Sequence, residues 1–538
     1  MLNTLRVVLG QINPTVGDIT GNLALILENI QHARDVLRAD LIIFPELALT
    51  GYPPEDNLLR PDFVQRVEKA LQQLIAATTG IAVIIGYPAY DNAHCYNALA
   101  FIENQQLIHM YYKQILPNIG VFDDKRYFTP GNTSLIIKWR GQLLGVLICE
   151  DIWHEEPIKP FIDTSIDALI TINASPFEKD KAQRREVLLI NIAKKIKAPV
   201  FYVNMVGGQD ELVFDGGSQV IDAKGHVLAR APYFESSLLL VMNPNNKNDI
   251  APDLSEEALI YQALVLSVRD YWRKNKCSGA IIGLSGGIDS ALTLAIAVDA
   301  LGAENIETVY MPTRYSANIS AEESAAQALQ LGVNYRVIAI DSLLDDYLKL
   351  FDALSQEDGL NDLSAQNIQA RIRANILMAL SNKTGKYVIS TGNKSEIATG
   401  YCTLYGDMCG AFAVLKDVYK TMVYRLAHYR NGLSSQAIIP PRVIERAPSA
   451  ELAPNQRDDD NLPAYPILDA LLERLIEQNH SLAQLIAEGY EEDLLNRILT
   501  LLQRSEYKRR QGVIGPKVTT CAFGRDWRFP LRGLSFKK

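Results

Sequence analysis

Two separate runs of short apolar segments, each alternating with helix-patterned stretches, confine this chain to a layered α/β architecture. In the first half, RVVLGQI (6–12), LIIFP (41–45), AVIIGYP (82–88), LLGVLIC (143–149), ALITIN (168–173) and VFYVN (200–204) read as strands buried on both faces. Between them, NLALILENIQHARDVL (22–37) and KAQRREVLLINIAKKI (181–196) carry helical apolar spacing. The second half alternates again, with strands at AIIGLS (280–285), ETVYMP (307–312), YRVIAI (335–340) and YVISTG (387–392), and helices over 290–301, 321–331 and 365–380. That order predicts a parallel, doubly wound sheet, which collects ligands at the carboxyl ends of its strands. Beyond residue 465 the pattern is mainly helical. The runs are separated by VMNPNNKNDIAPDLSEEAL (241–259), rich in Asn, Asp and Pro, where Asp253 or Ser255 can open a helix. A chain of 538 residues also exceeds one typical core. Two domains are expected, 1–250 and 251–538.

The formal net charge of −9 argues against whole-molecule attachment to nucleic acid or an anionic membrane. An anionic substrate would have to meet local basic residues. The six Cys form no repeated framework, which fits a reducing compartment. Cys402 and Cys409 have six residues between them, match no usual zinc spacing, and read as packed thiols. MLNTLRVVLGQI lacks the basic and apolar regions of a signal peptide, and no stretch reaches the roughly 18 apolar residues of a spanning helix. A cytoplasmic location is expected.

The sharpest local signal is the loop Gly283, Leu284, Ser285, Gly286, Gly287, Ile288, Asp289, Ser290, between an apolar strand and a helix. Glycines allow a tight turn and close approach, and the N–H groups at the helix start face an anion. No Lys follows the glycines, so this is not a Walker A loop. Ser-Gly-Gly-x-Asp-Ser resembles the pyrophosphate loop of adenylating synthetases, which split ATP between the α and β phosphates.

STGNKSEIATGYCTLYGD (390–407), QNIQARIRAN (366–375), VLKDVYKT (414–421) and EYKRRQ (506–511) further resemble the family of glutamine-dependent NAD⁺ synthetases. The resemblance implies ATP contacts from the loop, Thr391, Lys420 and Ser449. It implies Mg²⁺ ligands at Asp289 and Glu396, and deamido-NAD⁺ contacts at Asn367, Arg371, Glu396 and Lys508. The rear half is then a sheet of the adenine nucleotide α hydrolase type.

In the first half, FPELALTGYPPED (44–56), YYKQILPNIGVFDDKRYF (111–128) and GVLICEDIWHEEP (145–157) resemble the nitrilase superfamily, an α-β-β-α sandwich. Its Glu, Lys, Cys triad falls on Glu46, Lys113 and Cys149. A thiolate attacks the amide, a carboxylate takes the thiol proton, and an ammonium stabilises the oxyanion. The resemblance assigns glutamine recognition to Tyr52, Phe122, Glu150, Ser175 and Lys181. Ile119 stands where the family often carries Tyr, so a hydroxyl contact is missing there. Together the halves imply amidation of deamido-NAD⁺ with ATP and L-glutamine, giving NAD⁺, AMP, pyrophosphate and glutamate. A homo-oligomer is expected, with no nucleic-acid or membrane partner.

Overall fold

The computed structural model describes residues 5–91, 94–242, 248–354, 362–454, 456, 458 and 462–531. The chain divides into two compact units, Met1–Leu254 and Ser255–Lys538. Ser255 caps the first helix of the second unit, Glu256–Lys274, accepting from the Ala258 N–H at 3.2 Å.

The first unit holds two six-stranded mixed sheets. One runs in the order Ser237–Val241, Val7–Gln11, Leu41–Ile43, Ala82–Asp91, His94–Glu103, Gln106–Tyr112. The other runs Val227–Arg230, Gln219–Ile221, Val200–Asn204, Ala168–Asn173, Gln142–Ile148, Leu135–Trp139. Successive side chains of a strand face opposite ways. Val7, Leu9, Leu41 and Ile43 therefore join the second sheet's Val146, Ile148, Ile170 and Ile172 in one core. Val8 and Ile42 turn outward to pack with Ile26, Phe63 and Val67 of the helices Ile19–Asp35 and Pro61–Ala77. Leu189 and Ile192 of the helix Lys181–Ile196 join the first of these cores. The result is an α-β-β-α sandwich.

Most of the parallel strands fall where apolar runs predict them; the antiparallel hairpin that extends the first sheet does not. Its turn places Asn104 and Gln105 both at positive φ (48° and 62°). Asn-Gly is the usual signal for such a turn, and Asn-Gln conceals it. On Gln106–Tyr112 exposed and half-buried positions alternate, with Tyr111 alone buried, so no continuous apolar run marks this edge strand.

The second unit is built on a five-stranded parallel sheet ordered Asn334–Val337, Ile306–Tyr310, Ala280–Gly283, Tyr387–Ser390, Phe412–Ala413. The first strand in sequence lies in the middle, and the winding direction reverses beside it. This switch point is where a doubly wound sheet opens a crevice. Leu468, Leu472, Ile498 and Leu502 of the helices Tyr465–Ile476 and Glu492–Arg504 form a separate helical core. Among the described residues, no helix is long and apolar enough to cross a membrane.

Candidate active site

In the first unit, Glu46, Lys113 and Cys149 all sit just past the carboxyl ends of strands: Leu41–Ile43, Gln106–Tyr112 and Gln142–Ile148. The fold brings them together and buries them. Lys113 Nζ donates to Glu46 Oε1 at 2.8 Å and to Asp124 Oδ2 at 2.7 Å, with about 1% of its side chain exposed. Asn97 Nδ2 donates to Glu46 Oε1 at 2.7 Å, and the Ala174 N–H donates to Oε2 at 2.9 Å. A carboxylate held by three donors has one orientation. The strand behind it must stay bare. A Cβ on Gly86 would lie 2.6 Å from Glu46 Cα.

Cys149 opens a short 3₁₀ turn, Cys149–Trp153, with φ +47°. A side-chain-bearing residue there is in the sparsely populated left-handed region, which the surrounding packing must enforce. Burial and then the Glu46 carboxylate push the Cys149 thiol well up, while Lys113 pulls it down. The thiol therefore keeps its proton at rest and is hydrogen-bonded to Glu46, the group that would remove it. Burial opposes the Lys113 charge, yet Asp124, Glu46 and Cys149 carry its pKa well up, so it stays an ammonium.

Asp124, which sequence reasoning missed, completes a chain of contacts: Tyr52 Oη donates to its Oδ1 at 3.0 Å while Lys113 holds Oδ2. Tyr52, expected at the glutamine site, thus reaches the triad through its hydroxyl, its ring lying edge-on to Phe214 at 6.1 Å. Nothing in the string DDKRYF distinguishes Asp124 from Asp123; only the fold buries one of them. Asn97 was hidden because its strand was not recognised.

Of the remaining residues expected at the glutamine site, Ser175 is buried, and its N–H donates to Asn204 Oδ1 at 2.9 Å. Glu150 follows Cys149 and lies 3.2 Å from the His154 ring. Phe122 is half-buried, whereas Ile119, three residues earlier, is 76% exposed. Lys181 is the first residue of the helix Lys181–Ile196.

In the second unit a cavity opens at the switch point. It is lined by all eight residues Gly283–Ser290, together with Thr391, Glu396, Lys420 and Ser449. Ser285 Oγ accepts from the Gly287 N–H at 3.2 Å, and Ser290 Oγ donates to Gly287 O at 3.0 Å, shaping the loop. Gly287 starts the helix Ile288–Leu301 without a capping side chain, leaving first-turn N–H groups to an anion. Gly286 has φ +81°, and a Cβ there would lie 2.5 Å from Ser320 O. A left-handed residue with a Cβ costs about 1–2 kcal/mol, and each 1.4 kcal/mol is tenfold in affinity. Gly286→Ala is therefore expected to weaken ATP binding about tenfold or more, as measured by calorimetry.

Lys420 lies between the two expected metal ligands. It forms a close ion pair with Asp289 and approaches Glu396 Oε1 at 3.4 Å. Asn393, also missed from sequence, donates to Asp289 Oδ1 at 2.9 Å and caps the helix Lys394–Thr399 in a reciprocal box with Glu396. Burial and then Asp289 push the Glu396 carboxyl up to about 8, with Lys420 opposing. Two hard oxygen donors suit Mg²⁺, which takes one or two carboxylates plus phosphate oxygens rather than an all-protein cage. Among the described residues, no group of three or more His, Cys, Asp or Glu could hold a metal by itself.

Ser449 donates to Gln456 O at 2.5 Å, and five residues of the connection 447–466 (455, 457 and 459–461) lie outside the described residues. Cys402 and Cys409, read as packed thiols, both line the cavity. Asn367, Arg371 and Lys508 converge on one short segment beside it. Thr403 Oγ1 donates to Asn367 Oδ1 at 2.7 Å, Arg371 Nε to Leu404 O at 3.2 Å, and Lys508 Nζ to both Gly400 O and Cys402 O at 2.7 Å.

A family model described as carbon-nitrogen hydrolase matches residues 6–242, and one described as NAD synthase matches residues 260–512. The glutamine-dependent NAD(+) synthetase of Acinetobacter baylyi is 44% identical over 537 residues, covering 98% of each chain. That of Aquifex aeolicus is 43% identical over 572 residues, covering 99% of this chain and all of the other. The solved structure of glutamine-dependent NAD+ synthetase from Acinetobacter baumannii, in complex with ADP, superposes with a TM-score of 0.80 at 42% identity, covering 98% of both chains. Identity of this order, sustained over 98% or more of the chain, assigns the chain to the glutamine-dependent NAD(+) synthetase family.

Proposed function

We propose that this enzyme amidates deamido-NAD⁺ to NAD⁺, the last step of NAD⁺ formation, with nitrogen drawn from L-glutamine. The glutaminase chemistry is assigned to residues 1–250 and the synthetase chemistry to 251–538. The observation that carries the reading is the buried convergence of Glu46, Lys113 and Cys149 in a chain that also bears the loop Gly283–Ser290 around a cavity.

Glu46 takes the thiol proton as Cys149 Sγ attacks the side-chain amide carbon of glutamine. Lys113 donates to the oxyanion as it forms, from a side chain only about 1% exposed. The proton leaves on the departing ammonia, and water releases glutamate from the thioester. Asp124 and Tyr52 keep Lys113 aimed. Asp124→Asn would leave an amide oxygen on that ammonium, with its N–H₂ toward Tyr52 Oη, but would remove the negative charge that balances it. Glutamine hydrolysis, read as glutamate release, is expected to fall on the order of 10²-fold, while synthesis fed with ammonia is unaffected.

In the second unit the pyridine carboxylate of deamido-NAD⁺ attacks the α phosphate of ATP, and ammonia then displaces AMP. The loop N–H groups hold the departing pyrophosphate, and Lys420 holds compensating charge beside it. Asp289 and Glu396 would hold Mg²⁺, which when bound neutralises charge on the phosphates. Asn367, Arg371 and Lys508 border the dinucleotide, and the last two supply local positive charge on a molecule of net charge −9.

The test is a product assay with deamido-NAD⁺, ATP and Mg²⁺, supplied with glutamine or ammonia. AMP and NAD⁺ should form in equal amounts with either nitrogen source. Absence of AMP when every reactant is present would refute the assignment.

A further inference from the structure

We propose that Asp151 is a positioning residue that sets the separation between Cys149 and Lys113 across the two sheets of the first unit. Its side chain bonds to Tyr111, Gln114, Ile115 and Ile148 rather than to Glu46, Lys113 or Cys149. Its carboxylate is fully buried and accepts four hydrogen bonds. Oδ1 accepts from the Gln114 N–H at 3.0 Å and the Ile115 N–H at 2.8 Å. Oδ2 accepts from Tyr111 Oη at 2.9 Å and from the Ile148 N–H at 3.1 Å.

These donors bracket both reacting residues. Tyr111, Gln114 and Ile115 flank Lys113, at the end of the edge strand Gln106–Tyr112 of one sheet. Ile148 immediately precedes Cys149, at the end of Gln142–Ile148 in the other. The two strands share no ladder, because they belong to different sheets. One carboxylate two residues beyond the nucleophile therefore ties together chain ends that backbone pairing leaves independent. The same bond to Ile148 closes the turn that holds Cys149 at φ +47°.

The group has to be a carboxylate. Four donors need four acceptor sites, which a carboxylate offers and an amide does not. With Asn, one pair of donors would face an N–H₂ group. Burial raises the Asp151 carboxyl to about 6, with the Ile115 N–H opposing, which still leaves it mostly ionised at neutral pH. Gln114 Nε2 donates to Tyr111 Oη at 3.0 Å, so the tyrosine hydroxyl proton is directed at Asp151.

This inference rests on the proposed roles of Cys149 and Lys113, and the test separates the two. Full-length wild type, Asp151→Asn and Tyr111→Phe are compared in glutaminase kcat and KM, in ammonia-fed NAD⁺ synthesis, and in alkylation of Cys149 by iodoacetamide followed by peptide mass spectrometry. Misplacing reacting groups by about 1 Å costs about 10²-fold. Asp151→Asn should lower glutaminase kcat by that order and slow alkylation in parallel. KM for glutamine should stay within about threefold and ammonia-fed synthesis should be unchanged. Tyr111→Phe, which removes one donor of four, should show the same pattern at about a tenth of the size, and it decides the matter if the Asn variant does not fold. Unchanged kcat in a folded Asp151→Asn variant, or in Tyr111→Phe when the Asn variant does not fold, would overturn the positioning role. So would a loss shared equally by ammonia-fed synthesis. A wild type inactive toward glutamine would instead refute the glutaminase reading itself.

Discussion

Replacing Cys149 with alanine is expected to remove glutamine-dependent NAD⁺ formation by about 10⁴-fold or more, the usual loss when a covalent nucleophile is deleted. Ammonia-dependent formation should remain near the wild-type rate. The asymmetry follows from where the groups sit. Cys149, Glu46 and Lys113 are all in the unit Met1–Leu254, whereas every residue lining the switch-point cavity belongs to Ser255–Lys538. Free ammonia enters the reaction after the step that Cys149 performs. The substitution removes one sulfur from a packed site and costs about 1 kcal/mol, too little to unfold the unit. Glu46 would keep the bonds from Lys113, Asn97 and Ala174. The measurement is NAD⁺ formed per minute with saturating glutamine and then with ammonium at high pH. Loss of both activities in a folded variant would show that Cys149 does not act only on glutamine.

The same division explains how far the sequence could be read. Residues whose chemistry is local were legible: Cys149 after LLGVLI, Glu46 after LIIF, and the glycines and Asp289 of the phosphate loop each carry their context within a few positions. Most of the parallel strands were legible because burial on both faces forces continuous apolar runs; the two-residue strand Phe412–Ala413 was too short to show one. What escaped was set by distant pairing. Asp124 matters because Lys113 and Tyr52 close on it, and Asn97 because its strand passes behind Glu46. Asp151 acts through donors from two different sheets. A carboxylate or amide in a loop has no pattern of its own until the fold supplies its partners.

Substituting Asp289 with asparagine should give the opposite signature, lowering AMP release by about 10²–10³-fold with either nitrogen source. Asp289 is the only acidic residue of the loop Gly283–Ser290, and its two oxygens are already allotted. One is held by the Asn393 side chain at 2.9 Å, and the other pairs with Lys420. An amide of the same shape keeps the first contact but turns N–H₂ toward the second, so the ammonium loses its nearest partner and keeps Glu396 at 3.4 Å and the Tyr465 ring at 5.4 Å. A buried ion deprived of its partner costs about 3–5 kcal/mol, which reorganises the site before any phosphate arrives. The remaining carboxylate would also have to hold Mg²⁺ alone, so the Mg²⁺ concentration for half-maximal rate should rise. Lys420→Met distinguishes the two causes. It removes the ammonium but leaves both oxygen donors, so ATP affinity should fall while the Mg²⁺ requirement stays put. If Asp289→Asn released AMP at the wild-type rate across a Mg²⁺ titration, neither oxygen of that carboxylate could be a ligand in the adenylation step.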